Sequence, residues 1–144
     1  MAGHNPAGAT RMKQKTQFER YVDRISQEVY QPAYYYTQVR QSRAFMKDNL
    51  SKKIELGEIA AAACMSSFHF IRIFKLVYGL TPKEYLKDLR IDRAKELLKE
   101  GLSVTQTCFA VGYESLSTFS RVFKKGTGLS PKAYQDLNKA ILDK

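Results

Sequence analysis

The sequence predicts an all-α protein in which two similar helical subdomains are joined by a long central helix and preceded by a helical extension. Three observations indicate this fold class. Apolar residues recur with the period of a helix, and strand-like alternation persists nowhere in the sequence. One helix, at residues 82–100, has both of its ends marked by local signals. The segments that flank this helix repeat each other, which predicts two units of one kind.

The central helix at residues 82–100 is predicted from its ends. Thr81 can cap it, Pro82 fits the first helical position, and Glu84 completes a capping box with Thr81. Gly101 is a good stop after a run of helix-forming residues. These signals define a helix of about five turns.

Apolar side chains cover more than half of the circumference of this central helix. A helix that lies on one core needs only a single stripe, so this helix is expected to pack against a body on each side. Arg90 and Arg93 fall within the apolar sweep. We interpret both as hydrogen-bonding across the junctions with the two bodies, to carbonyl groups at helix C-termini.

The N-terminal part is predicted to comprise two segments. Residues 1–12 are small, contain Gly and Pro, and lack a pattern, so we interpret them as a disordered tail or a remnant of expression, with Met12 a candidate native start. Residues 13–37 form the helical extension, which has a helix from about residue 16 until Pro32 ends it. An aromatic connector follows at residues 33–36.

The extension helix is amphipathic. Its apolar face carries Phe18, Tyr21, Val22, Ile25 and Val29. We favour a role in covering the core of the following domain, because two heptads are short for a stable coiled coil. Self-association through this helix is the alternative. The main domain, residues 38–144, then opens with a helix at residues 38–50. The apolar members of that helix are Val39, Phe45, Met46 and Leu50.

The repeat is explicit in the letters of the sequence. Residues 70–75 (FIRIFK) align with residues 119–124 (FSRVFK) at an offset of 49 residues. In the helices that precede them the offset is 48, because Cys64 matches Gly112. The second copy therefore has one extra residue in or just after its turn.

Each copy reads as a helix-turn-helix unit, the first at about residues 56–79 and the second at about 103–126. In the first copy an alanine-rich helix is followed by a tight turn at Met65 and Ser66, and Ser67 can cap the second helix. The second copy starts with a capping box from Ser103 to Gln106 and turns at Gly112 and Tyr113. Its second helix begins at Ser115 or Ser117 and runs to Gly126.

The second helix of such a unit must bury one face and offer the other to a DNA groove. The inward residues are predicted to be Phe70, Ile73, Phe74 and Val77 in the first copy, and Phe119, Val122 and Phe123 in the second. No acidic residue occurs at residues 66–80 or 115–133, and the chain has 24 Lys and Arg against 14 Asp and Glu, a net charge of +10. Acid-free faces suit a phosphate backbone. A helical bundle that uses these units only for packing is the alternative, but two matched basic copies favour double-stranded DNA as the partner.

The outer faces of the two second helices hold the candidate DNA-binding residues. They are Ser67, Phe68, Ile71, Arg72 and Lys75 in the first copy, and Leu116, Ser117, Ser120, Arg121, Lys124 and Lys125 in the second. The arginines can bond to guanine O6 and N7 or sit on phosphates. Thymine methyl groups or partial packing against a neighbouring helix would each explain the apolar members. The serines suit phosphate contacts, base contacts or helix capping.

The sequence contains no catalytic or metal-binding constellation that we recognise, so we predict neither an enzyme nor a cofactor. Cys64 and Cys108 lack the spacing of a zinc site and are expected to be small buried thiols. His4 and His69 have no carboxylate or nucleophile at a recognisable spacing. No apolar run approaches the roughly 18 residues that span a membrane, and no signal peptide is evident, so a cytoplasmic protein without membrane contact is expected.

Residues 38–137 resemble the DNA-binding domain of the AraC/XylS family of bacterial transcription regulators. The most specific match is GYESLSTFSRVFKK at residues 112–125, followed by GLSP at residues 128–131. The first copy matches at residues 59–60 and 70–75. The resemblance implies seven helices, homeodomain-like subdomains, and recognition helices in successive major grooves on one DNA face. It assigns base reading to Ser67, Phe68, Ile71, Arg72, Leu116, Ser117, Ser120 and Arg121, and backbone contacts to Lys75, Lys124 and Lys125.

Four positions depart from the family pattern. Cys64 stands where the family commonly has glycine, and a left-handed conformation there would cost about 1 kcal/mol. Thr107, Cys108 and Phe109 stand where Ile, Ala and Leu are usual, which changes packing rather than chemistry.

We therefore expect a stand-alone, monomeric transcription regulator, an activator that binds an asymmetric duplex site and contacts RNA polymerase. The alternative is the DNA-binding half of a larger ligand-sensing regulator, in which the helix with Phe18 and Val29 belongs to a dimerisation element. A DNA-repair methyltransferase built on this fold would need a cysteine cluster that Cys64 and Cys108 do not supply.

Overall fold

The computed structural model describes residues 14–30 and 32–143, without the side chains of residues 25–30 and 32. The predicted tail at residues 1–12, including Met12, lies outside the described residues. Within the described part, residues up to Tyr36 form one compact unit and residues from Thr37 onward form a second.

This part of the chain contains α-helices and no strand, which confirms the all-α fold. The helices are α1 (Gln17–Tyr30), α2 (Pro32–Asn49), α3 (Leu56–Ala62), α4 (Ser67–Tyr78), α5 (Pro82–Lys99), α6 (Val104–Ala110), α7 (Leu116–Thr127) and α8 (Pro131–Leu142). Seven of these helices, α2 to α8, match the number that the family resemblance implies for the main domain.

Helix α1 begins at a local signal. The Glu19 amide donates to the Thr16 hydroxyl and the Thr16 amide donates to the Glu19 carboxylate, which closes a capping box. Phe18 is 72% exposed, and Tyr21 and Val22 are exposed as well. Whether this face covers a core or mediates self-association stays a prediction, because amphipathicity shows that a face exists and not what it packs against. The side chains of Ile25 and Val29 lie outside the described residues.

Pro32 bears on the ends of two helices. It follows the end of α1, as expected, and it also occupies the first position of α2. Residues 33–36 are therefore helical, and the prediction of an aromatic connector is wrong. The reason is that proline at a first helical position loses only an amide that would have no intrahelical partner. In α2, Val39 and Met46 are buried as predicted, while Phe45 and Leu50 are partly buried.

The central helix α5 has the predicted ends. The Glu84 amide donates to the Thr81 hydroxyl, and the Thr81 amide donates to the Glu84 carboxylate. That backbone hydrogen bond holds the pKa of Glu84 below its ordinary value. Beyond the C-terminal end, Gly101 adopts a left-handed conformation with φ of +100°.

Helix α5 packs against α4, which precedes it, and against α6, α7 and α8, which follow it. The prediction of a partner on each side is therefore confirmed. The core of the second subdomain takes four residues from α5 and further residues from α6, α7 and the turn between them. Its buried members are Ile91, Ala94, Leu97, Leu98, Cys108, Val111, Phe119 and Phe123. Leu50, which follows α2, also packs against this core, so the end of α2 reaches the second subdomain.

Arg90 forms the predicted junction. Its Nε donates to the Leu50 carbonyl at 2.9 Å, and its Nη2 donates to the Lys52 carbonyl at 2.9 Å. Its guanidinium also lies 5.7 Å from the ring centroid of Tyr113, which begins the second copy's loop. Burial lowers the pKa of Arg90 from its ordinary value.

Arg93 does not cross a junction. Its Nη1 pairs with the Glu96 carboxylate at 2.8 Å on the exposed surface of the same helix. The interpretation of Arg93 as a junction residue is therefore wrong, because a partner three residues along the helix was within easier reach.

No single helix in the described ranges is long and apolar enough to cross a membrane. Helices α3 and α4 pass that test only when taken together, and they are bent by 71° at their turn.

Candidate nucleic-acid interface

The turn of the first unit is built on a strained residue. Cys64 has φ of 58°, the left-handed conformation that glycine adopts more readily. Ser66, not Ser67, is the N-cap of α4, and its hydroxyl accepts from the His69 amide. Cys64 is exposed, so the prediction of a buried thiol is wrong for it. The left-handed turn displays this side chain because the chain reverses at that point.

The turn of the second unit has glycine at the matching position. Gly112 has φ of +95°, and Ser115 is the N-cap of α7, with its hydroxyl accepting from the Thr118 amide. Cys108 is buried as predicted, and its burial raises the pKa of the thiol. Helix α7 continues one residue beyond Gly126 and ends at Thr127, because Gly128 supplies the left-handed residue that stops it.

The inner faces of α4 and α7 anchor both helices in their subdomains. Phe70, Ile73 and Phe74 are buried in α4, as Phe119 and Phe123 are in α7, while Val77 and Val122 are partly buried. The rings of Phe70 and Phe74 lie 5.5 Å apart, and those of Phe119 and Phe123 lie 5.8 Å apart. The same aromatic pair therefore orients the second helix of each unit.

The outer face of α4 presents most of its predicted residues to solvent. Phe68 is 82% exposed, and Arg72 and Lys75 are exposed. Ser67 is partly buried. Ile71 is also partly buried, because it lines an apolar groove together with Pro82 and Leu86 at the start of the central helix and with Ile54, Leu56 and Ile59. Contact of Ile71 with thymine methyl groups stays a prediction beside partial packing.

The outer face of α7 is more polar. Its exposed members are Leu116, Ser117, Arg121, Lys124 and Lys125. Ser120 is partly buried, and the Ser117 hydroxyl lies 2.9 Å from the hydroxyl of the capping Ser115. The acid-free stretches of the sequence thus surround two exposed faces that each carry one arginine and at least one lysine.

A cleft of about 690 Å³ lies between the end of α2 and the start of α7. Its lining includes Ser51, Lys53, Arg90, Tyr113 and Ser115. Burial raises the pKa of Tyr113 above its ordinary value. No sequence pattern predicts a role for Lys53, because an irregular segment has no periodicity from which to infer its neighbours. The structure adds Lys53 to the cations beside the second recognition helix.

Known proteins share this arrangement. A family model described as a helix-turn-helix domain matches residues 59–136, which is more than half of the chain. The chain belongs to the AraC/XylS family. The MmsAB operon regulatory protein of Pseudomonas aeruginosa is 40% identical over 93 residues, which are 64% of this chain and 30% of that protein. The HTH-type transcriptional activator AarP of Providencia stuartii is 29% identical over 92 residues, which are 63% of this chain and 68% of AarP.

A solved structure of an AraC-type domain bound to DNA has the same fold. It is the DNA-binding domain of AdpA, a global transcriptional factor, in complex with a target DNA. It has a TM-score of 0.68 and 27% identity, and the match covers 71% of this chain and 93% of the AdpA domain. The match therefore extends over most of a DNA-binding domain of this fold.

Proposed function

We propose that the chain is a sequence-specific DNA-binding transcription regulator that places α4 and α7 in successive major grooves on one face of a duplex. The observation that supports this most is the pair of exposed, acid-free helix faces, in which Arg72 and Arg121 occupy matching positions. Each face belongs to a helix that a buried aromatic pair anchors in its subdomain, so the basic side chains are held on rigid helices.

The central helix gives the two faces a defined separation. Its 18 residues extend over about 27 Å at 1.5 Å per residue. With the two subdomains added, this length suits recognition helices that lie one turn of DNA apart, about 34 Å. A monomer would then bind an asymmetric two-part site, because its two faces are similar and not identical.

Selection from random duplex DNA with the full chain tests this function. We expect enrichment of a two-part motif with its halves about one helical turn apart. Failure to enrich any such motif would refute the proposal.

Substitution of the two arginines tests which groups read bases. Arg72→Ala and Arg121→Ala are each expected to weaken binding to the selected site by about 1–3 kcal/mol. Losses of the same size on random DNA would show phosphate contact instead. Arg93→Ala is the matched control, because this exposed arginine pairs with Glu96 on the central helix, and its affinity should be unchanged.

We further propose that the regulator is an activator and contacts RNA polymerase. AarP, which resembles this chain over 68% of its own length, is described as an activator. Transcription in vitro with purified polymerase tests this point: addition of the protein should raise transcript from a promoter that carries the selected site. A fall in transcript would make the protein a repressor.

A second candidate is the DNA-binding part of a larger ligand-sensing regulator. It is favoured by the MmsAB regulator, because this chain spans only 30% of that protein's length. The exposed apolar face of α1, with Phe18 and Tyr21, would then belong to a dimerisation element. Sedimentation over a range of concentrations separates the candidates: a dimer that Phe18→Glu dissociates favours the second, and a monomer throughout favours the first.

A further inference from the structure

A cluster of three aromatic rings and one arginine lies where helix α4 ends. Phe74 and Tyr78 belong to α4, and Tyr85 belongs to the central helix α5. The ring centroid of Phe74 lies 4.7 Å from that of Tyr78 and 5.5 Å from that of Tyr85. The fourth member, Arg43, comes from α2, which precedes both helix-turn-helix units. These four residues form an arginine clamp.

Arg43 connects the two tyrosines of the clamp by hydrogen bonds and by its position over their rings. Its Nε donates to the Tyr85 hydroxyl at 2.9 Å, and its Nη1 donates to the Tyr78 hydroxyl at 3.3 Å. The guanidinium carbon lies 4.9 Å from the ring centroid of Tyr78 and 5.5 Å from that of Tyr85. All three residues are partly buried, and cation–π contacts strengthen as water is removed. One side chain of α2 therefore holds the end of α4 against α5.

The aromatic pair beneath the clamp recurs in the second unit. At the repeat offset of 49 residues, Phe74 corresponds to Phe123 and Tyr85 corresponds to Tyr134. The ring centroids are 5.5 Å apart in the first pair and 5.4 Å apart in the second, and the interplanar angles are 72° and 76°. Helices α4 and α7 therefore contact the helix that follows each of them in the same way.

The ends of α4 and α7 are closed by different partners. Thr127 of α7 stands at the position of Tyr78. Its hydroxyl lies 2.8 Å from the Phe123 carbonyl oxygen and 3.0 Å from the Leu129 carbonyl oxygen, so α7 is closed by its own neighbours in the sequence. The Tyr78 hydroxyl instead accepts from Arg43, which lies 35 residues earlier in the chain. This bond makes α4 depend on α2, whereas the hydroxyl of Thr127 creates no such dependence for α7.

The orientation of α4 matters because its predicted DNA contacts begin at the end that lies away from the clamp. Ser67 and Phe74 are seven residues apart, which is about 10 Å at 1.5 Å per residue. A tilt of about 10° at Phe74 would therefore move Ser67 by about 2 Å. A binding site needs its side chains held to within about 0.5 Å, so a small loss of orientation is enough to weaken binding.

Building on the proposed function, we propose that Arg43 is a positioning residue for DNA binding. It acts through Tyr78 and Tyr85 to orient α4. In this way α2 controls binding to the first half-site, which is the half that α4 occupies. Binding of α7 to the second half-site is independent of Arg43.

Arg43→Met tests this inference, because methionine fills part of the same space and forms neither hydrogen bond. The dissociation constant of the full chain is measured on the selected site and on two duplexes, each with one half-site scrambled. We expect a rise of about tenfold on the selected site, a size typical of coupling through packed side chains. The rise should persist when the second half-site is scrambled and vanish when the first half-site is scrambled.

The half-site that α4 occupies is identified through Cys64, which lies in the turn before α4. Cys64 is exposed, so an iron chelate attached to it should cleave DNA in the first half-site. Cys108 is buried and should not react.

Two further variants separate orientation from charge and from folding. Lys47→Met removes one positive charge from an exposed position of α2, one turn after Arg43, and should affect the two scrambled duplexes equally. Arg43→Lys keeps a cation beside the rings and is the milder change. It should show the half-site pattern of Arg43→Met with a smaller loss, so the inference stays testable if Arg43→Met folds poorly. Circular dichroism at the temperature of the binding measurement verifies folding.

Tyr78→Thr connects the effect to the clamp, because it copies the residue that closes α7. In this background Arg43→Met should raise the dissociation constant by less than about twofold, since residues that share a contact have non-additive effects. Fully additive losses would overturn the inference. Equal losses on the two scrambled duplexes, or no loss on the selected site, would overturn it as well. The absence of any selected motif would instead refute the proposed function itself.

Discussion

Thr107 places a hydroxyl group among the buried side chains of the second subdomain. The residue is fully buried, and its Oγ1 has no hydrogen-bond partner within the described part of the chain. The repeat places Ile59, an apolar residue, at the corresponding position of the first subdomain. A buried hydroxyl without a partner costs about 1–3 kcal/mol, so this position stores an energetic penalty.

Thr107→Val should therefore stabilise the protein. Valine keeps the shape of threonine and removes the unpaired hydroxyl, so we expect the free energy of unfolding to rise by about 1 kcal/mol. Urea unfolding followed by circular dichroism measures the change. Thr105→Val, at an exposed position of the same helix, is the control and should have little effect. A Thr107→Val variant that is no more stable than the parent would show that the hydroxyl has a partner in solution.

The two turns respond in opposite ways to a change at their left-handed residue. A Cβ at Gly112 would lie 2.4 Å from the Leu50 carbonyl oxygen and 3.0 Å from Nη2 of Arg90. Gly112→Ala should therefore cost about 2 kcal/mol or more, from the left-handed conformation and the clash together. Cys64→Gly removes the same conformational strain at an exposed position and should gain up to about 1 kcal/mol. Urea unfolding of both variants measures these changes, and equal effects at the two turns would contradict this account.

At the scale of elements, the helix ends were the most predictable features. Thr81 with Glu84 and Ser103 with Gln106 form the predicted capping boxes, because a capping box depends only on residues three apart. The prediction of a connector at residues 33–36 was wrong, since a proline is equally compatible with the end of one helix and with the first position of the next. The partner of the apolar face with Phe18 stays a prediction, because a single sequence does not identify what such a face packs against.

The two arginines of α5 illustrate the same limit. Both lie in the apolar sweep of the helix, and a helical projection gives the direction of a side chain but not the end point of its reach. Arg90 extends to carbonyls about forty residues earlier in the chain, at Leu50 and Lys52. Arg93 bends back to Glu96. Only the three-dimensional arrangement separates a junction from a surface ion pair.

Substitution by leucine should distinguish Arg90 from Arg93. Arg90→Leu removes two charge-assisted hydrogen bonds and should lower the free energy of unfolding by about 1–3 kcal/mol. Arg93→Leu removes an exposed ion pair and should change it by less than about 0.5 kcal/mol. Arg90→Leu should also tolerate one added base pair between the halves better than the parent protein does. Its affinity for the lengthened site should therefore be closer to its affinity for the selected site. Equal behaviour of the two variants in unfolding and in binding would show that Arg90 is not a junction.

At the scale of the whole molecule, the continuous central helix predicts a strict spacing of the two half-sites. Insertion of five base pairs rotates one half by about half a turn, and insertion of ten restores its direction but adds about 34 Å. A stiff connection cannot accommodate either change, so the two recognition helices can no longer bind their half-sites at the same time. Each insertion should therefore lower the affinity by about 100-fold or more. Gel-shift titration measures these affinities, with base substitutions in an unlengthened spacer as the control. Recovery at ten base pairs would indicate a flexible connection.

The candidate site was predictable in outline because the repeat shows twice which helix faces outward. The exposures of Phe68, Arg72 and Arg121 agree with their predicted positions on that face, although their roles on DNA stay predictions. The groove that shelters Ile71 and the cleft that contains Lys53 were not predictable, since each combines segments that are far apart in sequence and have no shared period.

The junction at Arg90 has a consequence for how the protein tolerates sequence change. The guanidinium binds main-chain carbonyls, which every amino acid supplies, and Gly112 provides the space beside it. Leu50 and Lys52 can therefore be exchanged without removing the acceptors of these hydrogen bonds. The hydrogen bonds of this joint therefore depend on the side chain of one residue, Arg90, and on the absence of a side chain at another, Gly112. A chimaera that joins the first unit of one relative to the second unit of another should keep both residues, so that these hydrogen bonds can form.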